Sequence, residues 1–179
     1  MKKTIVTFGL ISGVISSVLM VGTMVYSDKI GFDRGYVLGY TTIVLSFLLV
    51  YFGIRSYRDN VGGGMISFGK GFAVGISITL ISCVFYVLTW QVLYFKFMPD
   101  FMDKWSAHAV EKLRASGATD ATILAKVEQM KKYKEMYDNP LTNAAMTFIE
   151  PFPVGLLITL LSAAVLRKKG AGERTAVAA

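Results

Sequence analysis

The chain of 179 residues is 54% hydrophobic and only 17% charged, and its mean hydropathy is positive. This composition excludes an ordinary soluble domain, because a core of this size cannot bury so much apolar surface. The formal net charge of +7 does not indicate nucleic-acid binding, since the basic residues collect beside the ends of apolar segments.

Four apolar stretches are each long enough to cross the hydrocarbon core of a bilayer, which is roughly 30 Å thick. They predict an all-α integral membrane protein with transmembrane helices over about residues 4–26, 36–54, 70–96 and 142–166. The first run follows Lys2 and Lys3 but is longer than a signal-peptide core and lacks a small-residue cleavage pattern. We therefore expect an uncleaved first span.

Lysine and arginine in the short connections predict the orientation of the spans. They collect at the N-terminus, in the second connection and after the last span: Lys2, Lys3, Arg55, Arg58, Lys70, Arg167, Lys168 and Lys169. In the first connection, Lys29 and Arg34 are offset by Asp28 and Asp33. We therefore predict that both termini are cytoplasmic, with a single transmembrane domain over residues 1–169 and a disordered tail over residues 170–179.

The third connection predicts an extracytoplasmic amphipathic helical hairpin over residues 99–138. Its start and stop signals are Pro99 and Asp100, then Gly117, then Thr119 or Asp120, and finally Asn139 and Pro140. Apolar residues recur at helical spacing, as Phe101, Trp105 and Leu113 and then as Ile123, Val127, Met130 and Tyr137. The hairpin is either a cap on the ends of the spans or a surface that recognises a partner.

Charged residues on the second helix of the hairpin stand four apart, which favours ion pairs on a solvated face. The expected pairs are Glu128 with Lys132 and Lys131 with Glu135.

Small residues also recur four apart in every span. The four stripes are Gly9, Gly13 and Ser17; Gly35 and Gly39; Gly71, Gly75 and Thr79; and Gly155, Thr159 and Ala163. Such stripes let membrane helices approach closely, so they favour a compact bundle with partners in the same chain or in a second copy.

The segment from Gly64 to Gly71 resembles a phosphate-binding loop but does not meet its chemical requirements. Gly71 stands where a serine or threonine must bind magnesium, and the segment before it is a membrane helix rather than a strand. We therefore expect no nucleotide partner.

Glu150 interrupts the fourth apolar stretch, where a carboxylate costs several kcal/mol unless it is paired or protonated. Counting about 1.5 Å per residue along the third and fourth spans brings it level with Val87. The expected hydrogen-bond neighbours are therefore Tyr86, Trp90 and Gln91. Glu150 and these three neighbours form the candidate intramembrane site, for a proton, a cation, a lipid or a substrate. Alternatively, Glu150 caps a helix that restarts at Pro151.

Other candidate chemical groups are scarce. His108 is the only histidine, and Asp100 and Asp103 beside it are typical of a solvated helix face. The single cysteine, Cys83, lies in an apolar span. We predict no catalytic residues, no metal and no cofactor.

Several segments resemble a bacterial membrane-protein family known as domain of unknown function 4199. They are Tyr51 to Asp59, Ile66 to Phe72, Pro99 to Lys104, Met136 to Pro140 and Pro153 to Leu156. The resemblance covers almost the whole chain and implies a four-span protein of the bacterial inner membrane without implying an activity. We expect a non-enzymatic accessory or scaffold protein in the lipid bilayer. The alternative is a homo-oligomeric transporter or channel that uses Glu150, and the expected protein partners are a second copy of the chain or another membrane protein.

Overall fold

The computed structural model describes residues 1–168, apart from the side chains of residues 27 and 28. Its helices are α1 (Lys2–Val25), α2 (Ser27–Ile30), α3 (Phe32–Asn60), α4 (Phe68–Val92), α5 (Phe101–Ala115), α6 (Asp120–Asp138), α7 (Pro140–Ile149) and α8 (Phe152–Leu166). A π-helical turn, Leu93–Phe97, extends α4. The predicted tail over residues 170–179 lies outside the described residues.

Four helical segments are long and apolar enough to cross a membrane: Lys2–Val25, Phe32–Asn60, Phe68–Phe97 and Pro140–Leu166. The described residues form no strand, only one isolated β-bridge. These two findings confirm the prediction of an all-α protein with four candidate transmembrane helices, and they indicate a multi-pass membrane protein.

The spans form a bundle in which α3 and α4 pack together, with α1 on one side of the pair and α8 on the other. Three of the four predicted small-residue stripes lie at these helix contacts. An added Cβ would lie 2.7 Å from Phe85 at Gly13 and 3.3 Å from Ala163 at Gly71. The helices therefore approach each other closely where the stripes run, as packing in lipid requires.

The second stripe, on α3, does not lie at a helix contact. A Cβ built on Gly35 or on Gly39 would meet nothing within 4 Å, so neither glycine brings α3 close to another described helix. Both residues border an open space instead, which is described below.

One end of the bundle carries the basic residues of the N-terminus, of the second connection and of the end of the last span. The start of α1 lies beside the end of α3, because Phe8 packs against Gly53. At the same end, Ile66 exchanges two backbone hydrogen bonds with Lys168, at 3.1 and 3.0 Å. The predicted cytoplasmic groups thus share one end, which we call the basic end.

The hairpin of α5 and α6 lies at the opposite end, which we call the hairpin end. Gly117, with a φ of 76°, follows α5, and Thr119 caps α6 by accepting a hydrogen bond from the Thr122 N–H. Asn139 caps α7 by accepting from the N–H groups of Leu141 and Thr142. The turn chemistry visible in the sequence therefore defines these helix ends.

The two ion pairs predicted along α6 do not form. Glu128, Lys131, Lys132 and Glu135 are all exposed, and none of them takes part in a salt bridge among residues 1–168. Lys134 instead pairs with Asp103 of α5. An exposed pair within one helix gains little, because water screens it and holding both side chains costs entropy.

The fourth span is broken at Glu150 and Pro151, between α7 and α8. Proline has no N–H, so Pro151 and Pro153 cannot donate to the carbonyls of Thr147 and Ile149 four residues earlier. The missing donors end α7, and α8 restarts with Pro153 in its first turn.

Candidate ligand-binding site

A cavity of about 230 Å³ opens at the hairpin end, between α1, α3 and α4 and beneath α5. Its lining residues are Met20, Thr23, Met24, Gly31, Phe32, Gly35, Tyr36, Gly39, Tyr86, Trp90, Phe101, Trp105, Tyr137 and Glu150. Further along α3, Ile43, Phe47 and Val50 are each at most 3% exposed. The cavity therefore gives way to a packed core on the side of the basic end.

Glu150 supplies the only acidic or basic side chain among these lining residues. The hydroxyl of Tyr86 donates a hydrogen bond to Glu150 Oε2 over 3.2 Å. No lysine, arginine or histidine among residues 1–168 forms an ion pair with the carboxylate. The site thus holds one acidic group with a single described hydrogen-bond donor and no basic counterpart.

The Glu150 side chain does not cap α8. The start of α8 has no side-chain cap, and the described partner of the carboxylate is Tyr86 on α4. The break in the fourth span therefore presents the carboxyl group to a different helix rather than to the backbone that follows it.

Seven of the fourteen lining residues are aromatic. Trp90 meets Phe101 edge to face with ring centroids 5.1 Å apart, and Phe101 meets Phe32 at 6.0 Å. These contacts connect α4, α5 and the start of α3. The aromatic rings are consequently held in place by one another on one side of the cavity.

Gly35 and Gly39 form part of the α3 side of the cavity. Because a Cβ at either position would meet nothing within 4 Å, the missing side chains leave space that a larger residue would fill. Helical glycines cost stability relative to alanine, so their repetition here is unfavourable for the helix itself.

The candidate residues from the sequence separate into two groups. Trp90 lines the cavity together with Tyr86 and Glu150. Gln91 does not; its amide donates to Asn143 Oδ1 at 2.9 Å and to the Pro140 carbonyl at 3.1 Å. Gln91 therefore joins α4 to α7 at the hairpin end.

Tyr137 contributes to the lining from α6. Burial raises the pKa of its phenol, and the side chains of Thr147 and Trp90 oppose that rise. The Trp90 indole is 7% exposed, and its N–H has no partner in hydrogen-bonding geometry among the described residues. The Trp90 N–H therefore has only a weak interaction with the Tyr137 phenol.

The hairpin is fastened over the cavity at the start of α3. Lys112 forms an ion pair with Asp33 at 2.8 Å, and His108 Nε2 lies 3.7 Å from the same carboxylate. The His108 ring lies 5.3 Å from that of Phe32. These contacts hold Phe101 and Trp105 of α5 over the space below.

Asp100 and Asp103 do not join His108 in a shared site. Asp100 pairs with Lys104 at 2.9 Å, which lowers the pKa of the aspartate, and Asp103 pairs with Lys134. No group of three or more metal-binding side chains occurs in the described part of the chain.

Sequence reasoning missed most of the lining. Four aromatic lining residues come from segments other than that of Glu150: Tyr36, Phe101, Trp105 and Tyr137. Phe101, Trp105 and Tyr137 reach the cavity only because the hairpin folds over it. The available signal was the aromatic content of the apolar faces of the hairpin helices.

Comparison with known proteins gives one match. The model of a family described as protein of unknown function (DUF4199) matches residues 7–168. No curated protein and no solved structure matches the chain. Since the family model spans most of the sequence, the chain belongs to the DUF4199 family.

Proposed function

We propose that the chain is a non-enzymatic accessory or scaffold protein of the bacterial inner membrane, and that it works by holding a small ligand in the Glu150 cavity. The observation that carries this proposal is the Glu150 carboxylate, which faces an aromatic-lined space and has no basic partner among residues 1–168. An uncompensated carboxylate in a membrane span is costly, and such residues mark functional sites.

Binding without catalysis is favoured by the composition of the lining. General acid–base or nucleophilic chemistry uses paired groups, such as two carboxylates or a nucleophile beside a base. Here one carboxylate stands among aromatic and small residues. The partners that we expect besides the ligand are the lipid bilayer, a second copy of the chain or another membrane protein, with no nucleotide and no nucleic acid.

Native mass spectrometry of protein released from nanodiscs tests the proposal. The variant Gly39→Leu adds volume to the cavity while leaving Glu150 in place. Gly22→Leu is a matched control because it also meets open space but does not line the cavity. We expect a small-molecule adduct on the natural protein and on Gly22→Leu that Gly39→Leu lacks. Identical spectra for all three proteins would contradict the proposal.

Transport is the second candidate, because broken helices with a charged residue at the break occur in the binding sites of transporters. The break at Glu150 and Pro151 favours it, whereas the packed core beyond the cavity does not. Proton and cation flux into liposomes distinguishes the two candidates. Flux that disappears in Glu150→Gln would establish a transporter or channel, and we expect no flux.

Orientation is proposed from the positive charges, with the basic end in the cytoplasm and the hairpin outside. Single cysteines at exposed Val61 and Ser116, in a Cys83→Ala background, report on the two ends. In intact spheroplasts, we expect an impermeant thiol reagent to label Ser116→Cys and to spare Val61→Cys. The opposite pattern would reverse the orientation.

A further inference from the structure

The Glu150 cavity combines two features that recognise one class of ligand. Its single charged lining residue is a carboxylate, and half of its lining residues are aromatic. Aromatic faces attract cations through their quadrupoles, and desolvation strengthens that attraction. We infer that the ligand is an organic cation with a substituted ammonium group, a conclusion that rests on the proposed binding function.

Charge complementarity is the first argument for a cation. No described lysine, arginine or histidine neutralises Glu150 through an ion pair, although the carboxylate accepts a hydrogen bond from Tyr86. A ligand that carries positive charge supplies the missing counterpart. An anionic ligand would instead add repulsion in a poorly hydrated space.

The surroundings favour an alkylated ammonium over a metal ion. Metal cations such as Ca²⁺ require six or more oxygen ligands, and Mg²⁺ retains several waters. The lining provides one carboxylate and a few hydroxyls among apolar and aromatic side chains. Substituted ammonium ions need no such coordination shell, and aromatic cages are a recurring means of binding them.

Both tryptophans of the chain, Trp90 and Trp105, line the cavity. Intrinsic tryptophan fluorescence of the full-length protein in nanodiscs therefore reports directly on occupancy. Benzyltrimethylammonium is a suitable probe, because neopentylbenzene has the same shape without the charge. We expect saturable quenching by the cation, with an affinity about tenfold or more above that for the neutral compound.

Two substitutions separate the charge from the aromatic contribution. Glu150→Gln keeps an acceptor for Tyr86 but removes the charge, and we expect it to weaken the cation about tenfold while leaving the neutral probe unchanged. Trp105→Leu removes an aromatic face from α5, and we expect it to weaken binding where Trp105→Phe does not. Trp105 lies on the hairpin, so this pair remains informative if the Glu150 variant fails to fold.

The outcomes distinguish failure of the ligand class from failure of the proposed function. Equal binding of the charged and neutral probes, abolished by Gly39→Leu and unaffected by Glu150→Gln, would overturn the cation and leave a ligand-binding cavity. Binding of neither probe, or binding that Gly39→Leu does not change, would overturn the cavity as the binding site. Preference for the cation, lost in both Glu150→Gln and Gly39→Leu, would support the inference.

Discussion

The Tyr86 hydroxyl donates a hydrogen bond to Glu150 Oε2 at 3.2 Å, and this contact joins α4 to the break between α7 and α8. The carboxyl group of Glu150 destabilises the folded protein, whereas its hydrogen bond from Tyr86 stabilises it. The tyrosine relieves part of the cost of holding a carboxyl group in the span, but one neutral donor does not replace full hydration.

Replacing Glu150 with an apolar residue tests whether its carboxyl group destabilises the folded protein. We expect Glu150→Leu to leave the folded protein as stable as before or to stabilise it by about 1–3 kcal/mol, because it removes a charge that is costly in a membrane span. Thermal unfolding of purified protein without added ligand measures the change. A large loss of stability would show that Glu150 is mainly structural.

Removing the donor should have a larger effect when the acceptor is present. Tyr86→Phe leaves the carboxylate without its described hydrogen-bond donor, and we expect it to cost about 1–3 kcal/mol. In the Glu150→Leu background, the same change should cost much less. Equal costs in the two backgrounds would mean that the hydrogen bond contributes nothing to stability.

The glycine contacts near the basic end should tolerate no added volume. A Cβ at Gly75 would lie 2.8 Å from both Ile54 Cδ1 and Thr159 Cγ2. We expect Gly75→Leu to destabilise the bundle by about 1–3 kcal/mol or more through overpacking. Gly22→Ala, with nothing within 4 Å, should be neutral or slightly stabilising, because alanine favours a helix.

Thermal unfolding of the two glycine variants in one detergent provides the comparison. Equal unfolding temperatures for Gly75→Leu and Gly22→Ala would contradict close packing at Gly75.

The cap at the start of the last span should be measurable by itself. Asn139 Oδ1 accepts from the Leu141 N–H at 3.0 Å and from the Thr142 N–H at 3.2 Å. We expect Asn139→Ala to cost about 0.5–2 kcal/mol and Asn139→Ser to restore most of that loss. Hydrogen exchange of the first turn of α7 is the local measurement, and no increase in Asn139→Ala would refute the cap.

The ion pair between α5 and α6 predicts a pH dependence. Lys134 donates a hydrogen bond to Asp103, and this bond raises the pKa of the lysine above its ordinary value of about 10.4. A raised pKa means that the folded state binds the lysine proton more tightly than the unfolded state does. The stabilisation is therefore complete at pH values below the ordinary lysine pKa, and it disappears as the pH rises through the pKa of the folded state.

Comparison with Lys134→Met isolates that contribution. The natural protein should be the more stable of the two near neutral pH, and the difference should shrink as the medium becomes strongly alkaline. Thermal unfolding across this pH range checks the prediction. A difference that does not change with pH would exclude the ion pair as its cause.

Much of the fold could be predicted because the bilayer imposes strict lengths on apolar helices. Proline and glycine also restrict the backbone locally, which is why Gly117 and Pro140 indicate helix ends correctly. Counting helical rise along two spans places Tyr86 and Glu150 near one level because α4 and α8, along which the residues are counted, are regular helices. Each of these predictions depends on the local sequence or on distance along a single helix.

The remainder depends on which surfaces meet in three dimensions. Helical periodicity shows that Trp105 and Tyr137 lie on apolar faces, but it does not specify what those faces cover. The same limit explains Gly35 and Gly39, which match a helix-contact stripe yet border open space. The four-residue spacing likewise predicted ion pairs along α6, whereas Lys134 forms an ion pair with Asp103 of α5.

The backbone pairing of Ile66 with Lys168 has a consequence for the order of assembly. The connection before α4 is synthesised early, and its partner emerges only after the whole of α8. Until then, the sides of α3 and α4 that pack against α8 lack this partner. Completion of the fold is therefore a late step in biogenesis, in which the last span docks against α3 and α4 and the bridge between Ile66 and Lys168 then forms.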